Sequence, residues 1–193
     1  MRYDFIEIGT SDFETLLQES SGLGLSIEPL KFYLDNLPNK DNVIKINCAI
    51  SDKNGYVDVF WIDPKDIQIY NLPEWLRGCN SIINPHPSAI KELEERNLLH
   101  LYKKSDCKCM TWSTIVEIYD IRYVEYLKID TEGHDCVIIN SILDDNSILP
   151  KKILFENNVL SDSNYVNLTL DRLKSYGYNL IEQKDFNILV EKL

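Results

Sequence analysis

Short apolar runs alternate with segments of helical periodicity through the first part of the chain. The runs at residues 3–8, 23–27 and 43–50 have the length and composition of buried strands. Residues 12–18 and 30–37, which lie between them, carry apolar side chains at helical spacing. This alternation is typical of an α/β protein in which helices join parallel strands. We therefore predict a doubly wound, mostly parallel, Rossmann-like sheet.

The later part of the chain extends this pattern and adds antiparallel elements. Apolar periodicity predicts helices over 88–97, 113–119, 134–143 and 165–176, and strands over 98–102, 107–112, 123–129 and 152–155. The runs at 178–182 and 186–190 predict a C-terminal antiparallel hairpin. The Ser-Asp-Lys-Asn-Gly turn at 51–55 predicts another hairpin, between 43–50 and 56–62. No repeat or linker interrupts the chain, so we expect one domain over residues 1–193.

Residues 63–87 have little regular periodicity and contain several prolines. A segment of this length without its own pattern is more often a binding loop or lid than a spacer. Trp75, Arg77, Asn80 and His86 are its candidate substrate-binding residues. Two simpler interpretations stay open: Trp75 anchors the loop to the core, and His86 is a surface histidine.

The charge balance excludes several classes of partner. The chain has 193 residues, with 20 Lys plus Arg against 31 Asp plus Glu and a net charge of -11. Such a surface repels duplex nucleic acid and anionic membranes. No apolar run is long enough to span a bilayer, no signal peptide is evident, and the five cysteines are scattered, so we expect a cytoplasmic protein. Cys107 and Cys109 form a C-x-C pair that fits alternation on a strand better than a metal site.

Polar residues follow two of the predicted strands. The run E-I-G-T-S-D-F begins at Glu7, and Gly9 lets the backbone turn close to a ligand. Later glycines of the dinucleotide fingerprint are missing, and Asp12 would repel a phosphate. Glu28 ends the second strand, 19 positions after Gly9, where a carboxylate can accept both hydroxyls of a ribose. The two features together predict a nucleoside ligand without a pyrophosphate, although Glu28 alone could be a helix cap.

The densest polar cluster is K-I-D-T-E-G-H-D at residues 128–135. Asp130, Glu132 and His134 lie where a strand ends and a helix begins. Helix capping explains one or two acids at such a position. Because several occur around a glycine, we consider these three residues candidate catalytic groups.

The sequence resembles the FkbM-type S-adenosylmethionine-dependent methyltransferases. The motifs that carry the resemblance are F-I-E-I-G-T-S-D-F at 5–13, G-L-S-I-E-P at 24–29, A-I-S-D-K-N-G at 49–55, L-K-I-D-T-E-G-H-D at 127–135 and I-L-F-E-N at 153–157. The family usually has a second glycine after Gly9, whereas this chain has Thr10, Ser11 and Asp12.

The resemblance implies a cofactor, S-adenosylmethionine, and a set of binding residues. Glu7, Gly9, Thr10, Ser11 and Asp12 would hold the methionine part of the cofactor. Ribose and adenine would contact Glu28, Pro29, Ala49 and Ile50, with Asp130 nearby. Glu156 would join the substrate-binding residues. A hydroxyl of a sugar, glycan or other small molecule is the expected methyl acceptor, and Asp130, Glu132 or His134 would take its proton.

Two other functions stay open at this point. The altered turn after Gly9 is compatible with a non-catalytic accessory protein that binds a nucleoside or a partner enzyme. A nicotinamide-dependent oxidoreductase would need the missing glycines. We assign no metal site, because Mg²⁺ is compatible with the acids near Asp130 but their spacing does not require it.

Overall fold

The computed structural model describes residues 1–12 and 15–193. In chain order the strands are β1 (Arg2–Ile8), β2 (Gly24–Ile27), β3 (Val43–Ile46), β4 (Ala49–Ile50), β5 (Gly55–Ile62), β6 (Tyr102–Met110), β7 (Tyr123–Ile129), β8 (Lys152–Glu156), β9 (Tyr178–Lys184) and β10 (Asn187–Lys192). The α-helices are α1 (Leu16–Glu19), α2 (Lys31–Asn36), α3 (Pro64–Ile69), α4 (Pro87–Glu95), α5 (Trp112–Ile118), α6 (Asp135–Asp145) and α7 (Ser163–Ser175). Residues 13 and 14 of the predicted helix 12–18 lie outside the described residues.

Seven strands form the main sheet in the order β3-β2-β1-β7-β8-β10-β9. The first five in this order are parallel, and β10 and β9 are antiparallel to their neighbours. The chain winds outward from β1 to β3 and then outward again from β7 in the other direction. The predicted doubly wound sheet with a C-terminal hairpin is therefore confirmed. Its direction of winding changes between β1 and β7, where open α/β sheets bind ligands at the carboxyl ends of their strands.

A second sheet contains three strands in the order β4-β6-β5. The predicted hairpin between 43–50 and 56–62 is wrong, because β6 lies between β4 and β5 and pairs with both. The predicted single strand 43–50 is divided near Asn47, whose side-chain amide donates to the carbonyls of Glu28 and Pro29 at 3.0 and 2.8 Å. The strands predicted at 98–102 and 107–112 are one strand, β6, preceded by a 3-10 turn. The apolar pattern of these strands is compatible with both the predicted hairpin and the observed order β4-β6-β5. Only tertiary contacts select between the two arrangements.

Residues 63–87 contain more regular structure than their sequence pattern predicts. Helix α3 begins after Asp63, whose side chain accepts from the backbone amide of Lys65, and Pro64 occupies its first position. A 3-10 helix follows at Glu74–Gly78. This segment packs with α4 and neighbouring residues around a small apolar cluster of Ile62, Ile67, Leu72, Leu76, Cys79, Ala89, Leu93 and Leu101.

Helices cover the sheet and close the main core. Trp112 of α5 is fully buried, and its indole N–H donates to the carbonyl oxygen of Ile148 at 3.1 Å. All five cysteines are buried and free, and Cys107 and Cys109 lie on β6 as the alternation predicts. Among the described residues no helix combines the length and the hydropathy that crossing a bilayer requires.

Candidate functional site

A cavity of about 230 Å³ lies at the carboxyl ends of β1, β2, β7 and β8. Backbone and side-chain atoms from both sheets form its wall. The lining residues are Ile8, Gly9, Thr10, Ser11, Glu28, Pro29, Cys48, Ala49, Ile50, Val59, Gly78, Asn80, Ser81, Ile82, Asp130, Thr131, Glu132 and Glu156. The predicted sheet edge is thus a real concave site.

Gly9 forms the turn at the end of β1. Its φ is +81°, and a Cβ atom there would lie 1.8 Å from the carbonyl oxygen of Asp130. Ser11 also has a positive φ, +52°, which usually favours glycine. Thr10 is buried, and its hydroxyl donates to the carbonyl of Ile27 at 3.2 Å. The turn therefore packs tightly against both neighbouring strand ends.

Glu28 at the end of β2 is held by backbone amides. Its Oε2 accepts from the amide of Ser11 and its Oε1 from the amide of Leu30, both at 2.9 Å. Burial raises the pKa of the Glu28 carboxyl to about 7, because desolvation outweighs these two hydrogen bonds. Both oxygens keep lone pairs, so the carboxyl group can also accept hydrogen bonds from a ligand in the cavity.

Glu7, a predicted cofactor residue, lies outside the cavity lining. Its fully buried carboxylate accepts from the amide of Leu16 at 3.0 Å and lies 3.2 Å from the Lys128 ammonium. Burial is the largest influence on its pKa and raises it, and Lys128 opposes this effect. The residue joins β1, β7 and the start of α1 beneath the site.

Three carboxylates lie together at the β7 and β8 ends of the cavity. Asp130, Glu132 and Glu156 each offer an oxygen within 4.8 Å of the others, an arrangement that could hold a cation. The side-chain amide of Asn158 donates to Glu132 Oε2 at 2.8 Å and to Glu156 Oε2 at 3.0 Å. Burial, followed by the charge of neighbouring acids, raises the pKa of Glu132 to about 8 and of Glu156 to about 7. Sequence analysis did not identify Asn158, which follows Glu156 by two residues and reaches Glu132 only through the tertiary fold.

Asp135 fixes the backbone around the three carboxylates. It is buried, and its Oδ2 accepts from the Thr131 hydroxyl at 2.8 Å while Oδ1 accepts from the amide of Glu156 at 3.1 Å. Burial raises its pKa to about 7. Glu132 and Gly133 both have positive φ in the turn that Asp135 closes.

Both predicted histidines lie outside the cavity lining. His134 Nε2 is 2.8 Å from the Ser51 hydroxyl. His86 is buried, so its interpretation as a surface histidine is wrong; its Nδ1 accepts from the amide of Ser88 at the start of α4. Its Nε2 lies 3.8 Å from Glu132 Oε2, behind the cavity wall. Burial lowers the pKa of both imidazoles.

The segment 63–87 contributes its backbone and small residues to the site rather than its most conspicuous side chains. Asn80 lines the cavity, and the Ser81 hydroxyl donates to the carbonyl of Glu132 at 3.2 Å. Arg77 lies outside the lining and pairs with Asp12, which is outside it as well. Trp75 is exposed and outside the lining, which disfavours its interpretation as a core anchor.

The structure brings eleven of the predicted residues to the cavity: Gly9, Thr10, Ser11, Glu28, Pro29, Ala49, Ile50, Asn80, Asp130, Glu132 and Glu156. Sequence analysis missed apolar and small lining residues: Ile8, Cys48, Val59, Gly78, Ser81, Ile82 and Thr131. Most carry no chemical signal of their own, although Ile8 and Cys48 are sequence neighbours of residues that were predicted.

The composition of the lining favours a ligand with positive charge and hydrogen-bonding groups. Glu28, Asp130, Glu132 and Glu156 supply carboxyl groups, whereas no Lys, Arg or His is among the lining residues described. Ser11 and Asn80 also line the cavity, and Ser11 Oγ and Asn80 Oδ1 are buried without a hydrogen-bond partner within the described part of the chain. S-adenosylmethionine, which has a sulfonium, an ammonium and ribose hydroxyls, fits this donor and acceptor set.

The motifs at these strand ends belong to a known family. A sequence model described as the methyltransferase FkbM domain matches residues 7–180. The chain belongs to the FkbM methyltransferase family. Its match runs from the last two residues of β1 to the first three of β9, so it includes the carboxyl end of every strand that contributes to the cavity.

A solved structure has the same fold as this FkbM family member. It is a methyltransferase FkbM from Methylobacillus flagellatus KT, with 13% sequence identity and a TM-score of 0.53. The match covers 98% of this chain and 43% of the other, so the present chain spans less than half of that protein. None of the curated proteins matched the sequence significantly.

Proposed function

We propose that the chain is an S-adenosylmethionine-dependent methyltransferase that acts on a hydroxyl of a sugar, glycan or other small molecule. The observation that carries this proposal is the carboxylate-lined cavity next to Gly9, with Glu28 at the tip of β2. Family membership supports methyl transfer, and the absence of cationic side chains from the described lining argues against a pyrophosphate ligand.

The family resemblance suggests the cofactor residues, and the cavity lining supports several of them. Glu28 would accept hydrogen bonds from the ribose hydroxyls, since its carboxyl group is fixed by backbone amides. The apolar wall at Ala49 and Ile50 suits an adenine ring. Gly9, Thr10 and Ser11 would surround the amino-acid portion. When bound, the cofactor supplies an electrophilic methyl group.

The acceptor hydroxyl must lose a proton during transfer, and the carboxylates opposite Glu28 are the groups in the cavity that can take it. Asp130, Glu132 and Glu156 lie close together there. A carboxyl with a pKa raised toward neutrality is a better base than an ordinary one, provided that it is ionised. Orientation of the acceptor against the methyl group would supply much of the remaining acceleration.

A transfer assay with matched variants tests this function. Purified chain is incubated with S-adenosylmethionine carrying a labelled methyl group and with panels of sugars, glycans and small alcohols. We expect label in at least one acceptor, and Asp130→Asn should reduce its rate about 10²-fold or more. Asp41→Asn, at an exposed residue far from the cavity lining, serves as the control.

Calorimetry with S-adenosylhomocysteine separates the alternatives. Binding without transfer to any acceptor would favour the accessory-protein function. Failure to bind this ligand, together with binding of a nicotinamide dinucleotide, would overturn the proposal. Activity lost in a chelator and restored by Mg²⁺ would show that the reaction needs a cation, for which Asp130, Glu132 and Glu156 are the candidate ligands.

A further inference from the structure

Strand β9 forms one edge of the main sheet and is exposed on both faces. Of its seven residues only the first, Tyr178, is buried, and the other six are exposed. Leu180 and Ile181 each have 54% of their surface accessible, and Phe186 in the following turn has 62%. Large apolar side chains thus surround a strand whose outer edge is unpaired within the described residues.

An edge of this kind is a natural site for strand pairing. Its free N–H and C=O groups can continue a sheet, and proteins usually protect such edges with charge, proline or a covering element. β9 carries two charged side chains, Glu182 and Lys184, and a bulge at Ile181, but it has no proline, and no described strand pairs with its outer edge. Exposed apolar side chains beside the edge would gain from being covered.

The hairpin register identifies which backbone groups point outward. Lys184 pairs with Asn187 across the two-residue turn, and Gln183 pairs with Ile188. In a two-residue hairpin, the pair next to the turn exchanges backbone hydrogen bonds, and alternate residues direct these groups to opposite edges. This alternation applies from Lys184 to Glu182, because the register shifts at Ile181. The amide and carbonyl of Gln183 therefore face away from β10, toward solvent.

We propose that two copies of the chain associate by antiparallel pairing of their β9 strands around a two-fold axis at Gln183. The two Gln183 residues would then exchange a pair of backbone hydrogen bonds. This register places Glu182 opposite Lys184 of the partner subunit, and the symmetry repeats the ion pair. It also brings Leu180 and Ile181 beside the turn at residues 185–186 of the partner subunit.

Charge complementarity selects this register over its neighbours. A two-fold axis at Glu182 or at Lys184 would place like charges opposite each other, which destabilises a strand pair. An axis at Ile181 would place Glu182 opposite the uncharged Leu180, so that Glu182 would form no ion pair. Within one subunit, Glu182 and Lys184 face the uncharged residues Leu189 and Asn187. None of the ion pairs found among the described residues uses Glu182 or Lys184, so both are available to a second copy.

Sedimentation equilibrium of the full chain, over roughly 1–100 µM, tests this interface. We expect a dimer for the unmodified chain. Glu182→Lys and Lys184→Glu should each weaken dimerisation about tenfold, because each creates two like-charge contacts. The double variant Glu182→Lys/Lys184→Glu should restore the original dissociation constant, since it exchanges the charges and keeps the pairs.

The charge variants of Glu182 and Lys184 also distinguish specific strand pairing from general electrostatic repulsion between two copies of the chain. With a net charge of -11, general repulsion predicts that Glu182→Lys strengthens association and that Lys184→Glu weakens it. Lys91→Glu, an exposed change on α4, is the matched control and should leave the dimer unchanged.

A backbone variant provides an independent check. Gln183→Pro removes the outward N–H at the axis but no bond to β10, so it should give a monomer whose thermal unfolding is close to that of the original chain. The proposal is overturned by a chain that is monomeric at 100 µM, by a dimer that persists in Gln183→Pro, or by charge effects that the double variant does not reverse.

Discussion

The backbone amide of Ser11 donates to Glu28 Oε2 at 2.9 Å, and this hydrogen bond joins the turn after β1 to the end of β2. Ser11 has a left-handed backbone conformation, which a side chain adopts at some cost. The contact offsets part of that cost and orients the carboxyl group at the cavity wall. It therefore connects the unusual turn sequence to the ligand-binding geometry.

Glu28→Gln should weaken binding of S-adenosylhomocysteine about ten- to a hundredfold. The substitution retains the shape of the side chain but replaces one acceptor oxygen with an NH2 group, which cannot accept from a backbone amide or from a ligand hydroxyl. Isothermal titration calorimetry measures the effect, and Glu19→Gln, at an exposed position of α1, is the control. Equal affinity in both variants would remove Glu28 from the binding site.

Gly9→Ala should destabilise the chain by several kcal/mol, since both the backbone conformation and a collision oppose a side chain. A Cβ atom at Gly9 would meet the Asp130 carbonyl, whereas one at Gly177, with a φ of +88°, would meet nothing within 4 Å. Gly177→Ala is thus a matched control that tests the backbone term alone. Chemical denaturation should show a much larger loss for Gly9→Ala, and equal losses would contradict the tight packing against β7.

The free energy of unfolding should decrease as pH rises from 6.5 to 8.5. Burial raises the pKa of Glu28, Asp135 and Glu156 to about 7 and of Glu132 to about 8, so the folded chain keeps protons that the unfolded chain has already lost. By linkage, the stability that these protonated groups provide is lost as pH passes through their folded pKa values.

The two buried histidines, His86 and His134, affect the free energy of unfolding mainly below pH 6.5, because burial lowers their pKa values and keeps them neutral in the folded chain. Thermal melts should show Tm falling by about 5 °C or more between pH 6.5 and 8.5. Glu132→Gln removes one titrating group and should reduce this slope. A Tm that is constant or rises with pH would contradict the burial of these acids.

Asn158→Ala should raise the pKa of Glu132 and of Glu156. The Asn158 amide donates to both side chains, and these hydrogen bonds lower the two pKa values against the effect of burial. Carboxyl ¹³C NMR titration measures the shift directly, and Asn164→Ala, at an exposed position of α7, is the control. Unchanged titration curves would show that Asn158 does not bridge the two acids in solution.

The sequence alone determined most of the main sheet. The strand at 123–129, for example, has the bounds that its apolar run predicts, and Gly9, Glu28 and Asp130 were located because polar residues follow such runs. Local periodicity is sufficient here because β2 is buried on both faces and β1 is largely buried, and because helices join β1 to β2, β2 to β3 and β7 to β8. Because parallel strands run in the same direction, their carboxyl ends lie at one edge of the sheet. No contact between distant residues has to be known to predict this.

Tertiary structure decided which strands pair with each other and which side chains come into contact. It divided residues 43–50 between two sheets, placed β6 between β4 and β5, and turned His134 toward Ser51 rather than into the cavity. It also brought Glu156 and Asn158 to Glu132. Strand pairing and side-chain direction depend on contacts between residues distant in sequence, and the apolar pattern of a single segment is compatible with several of them.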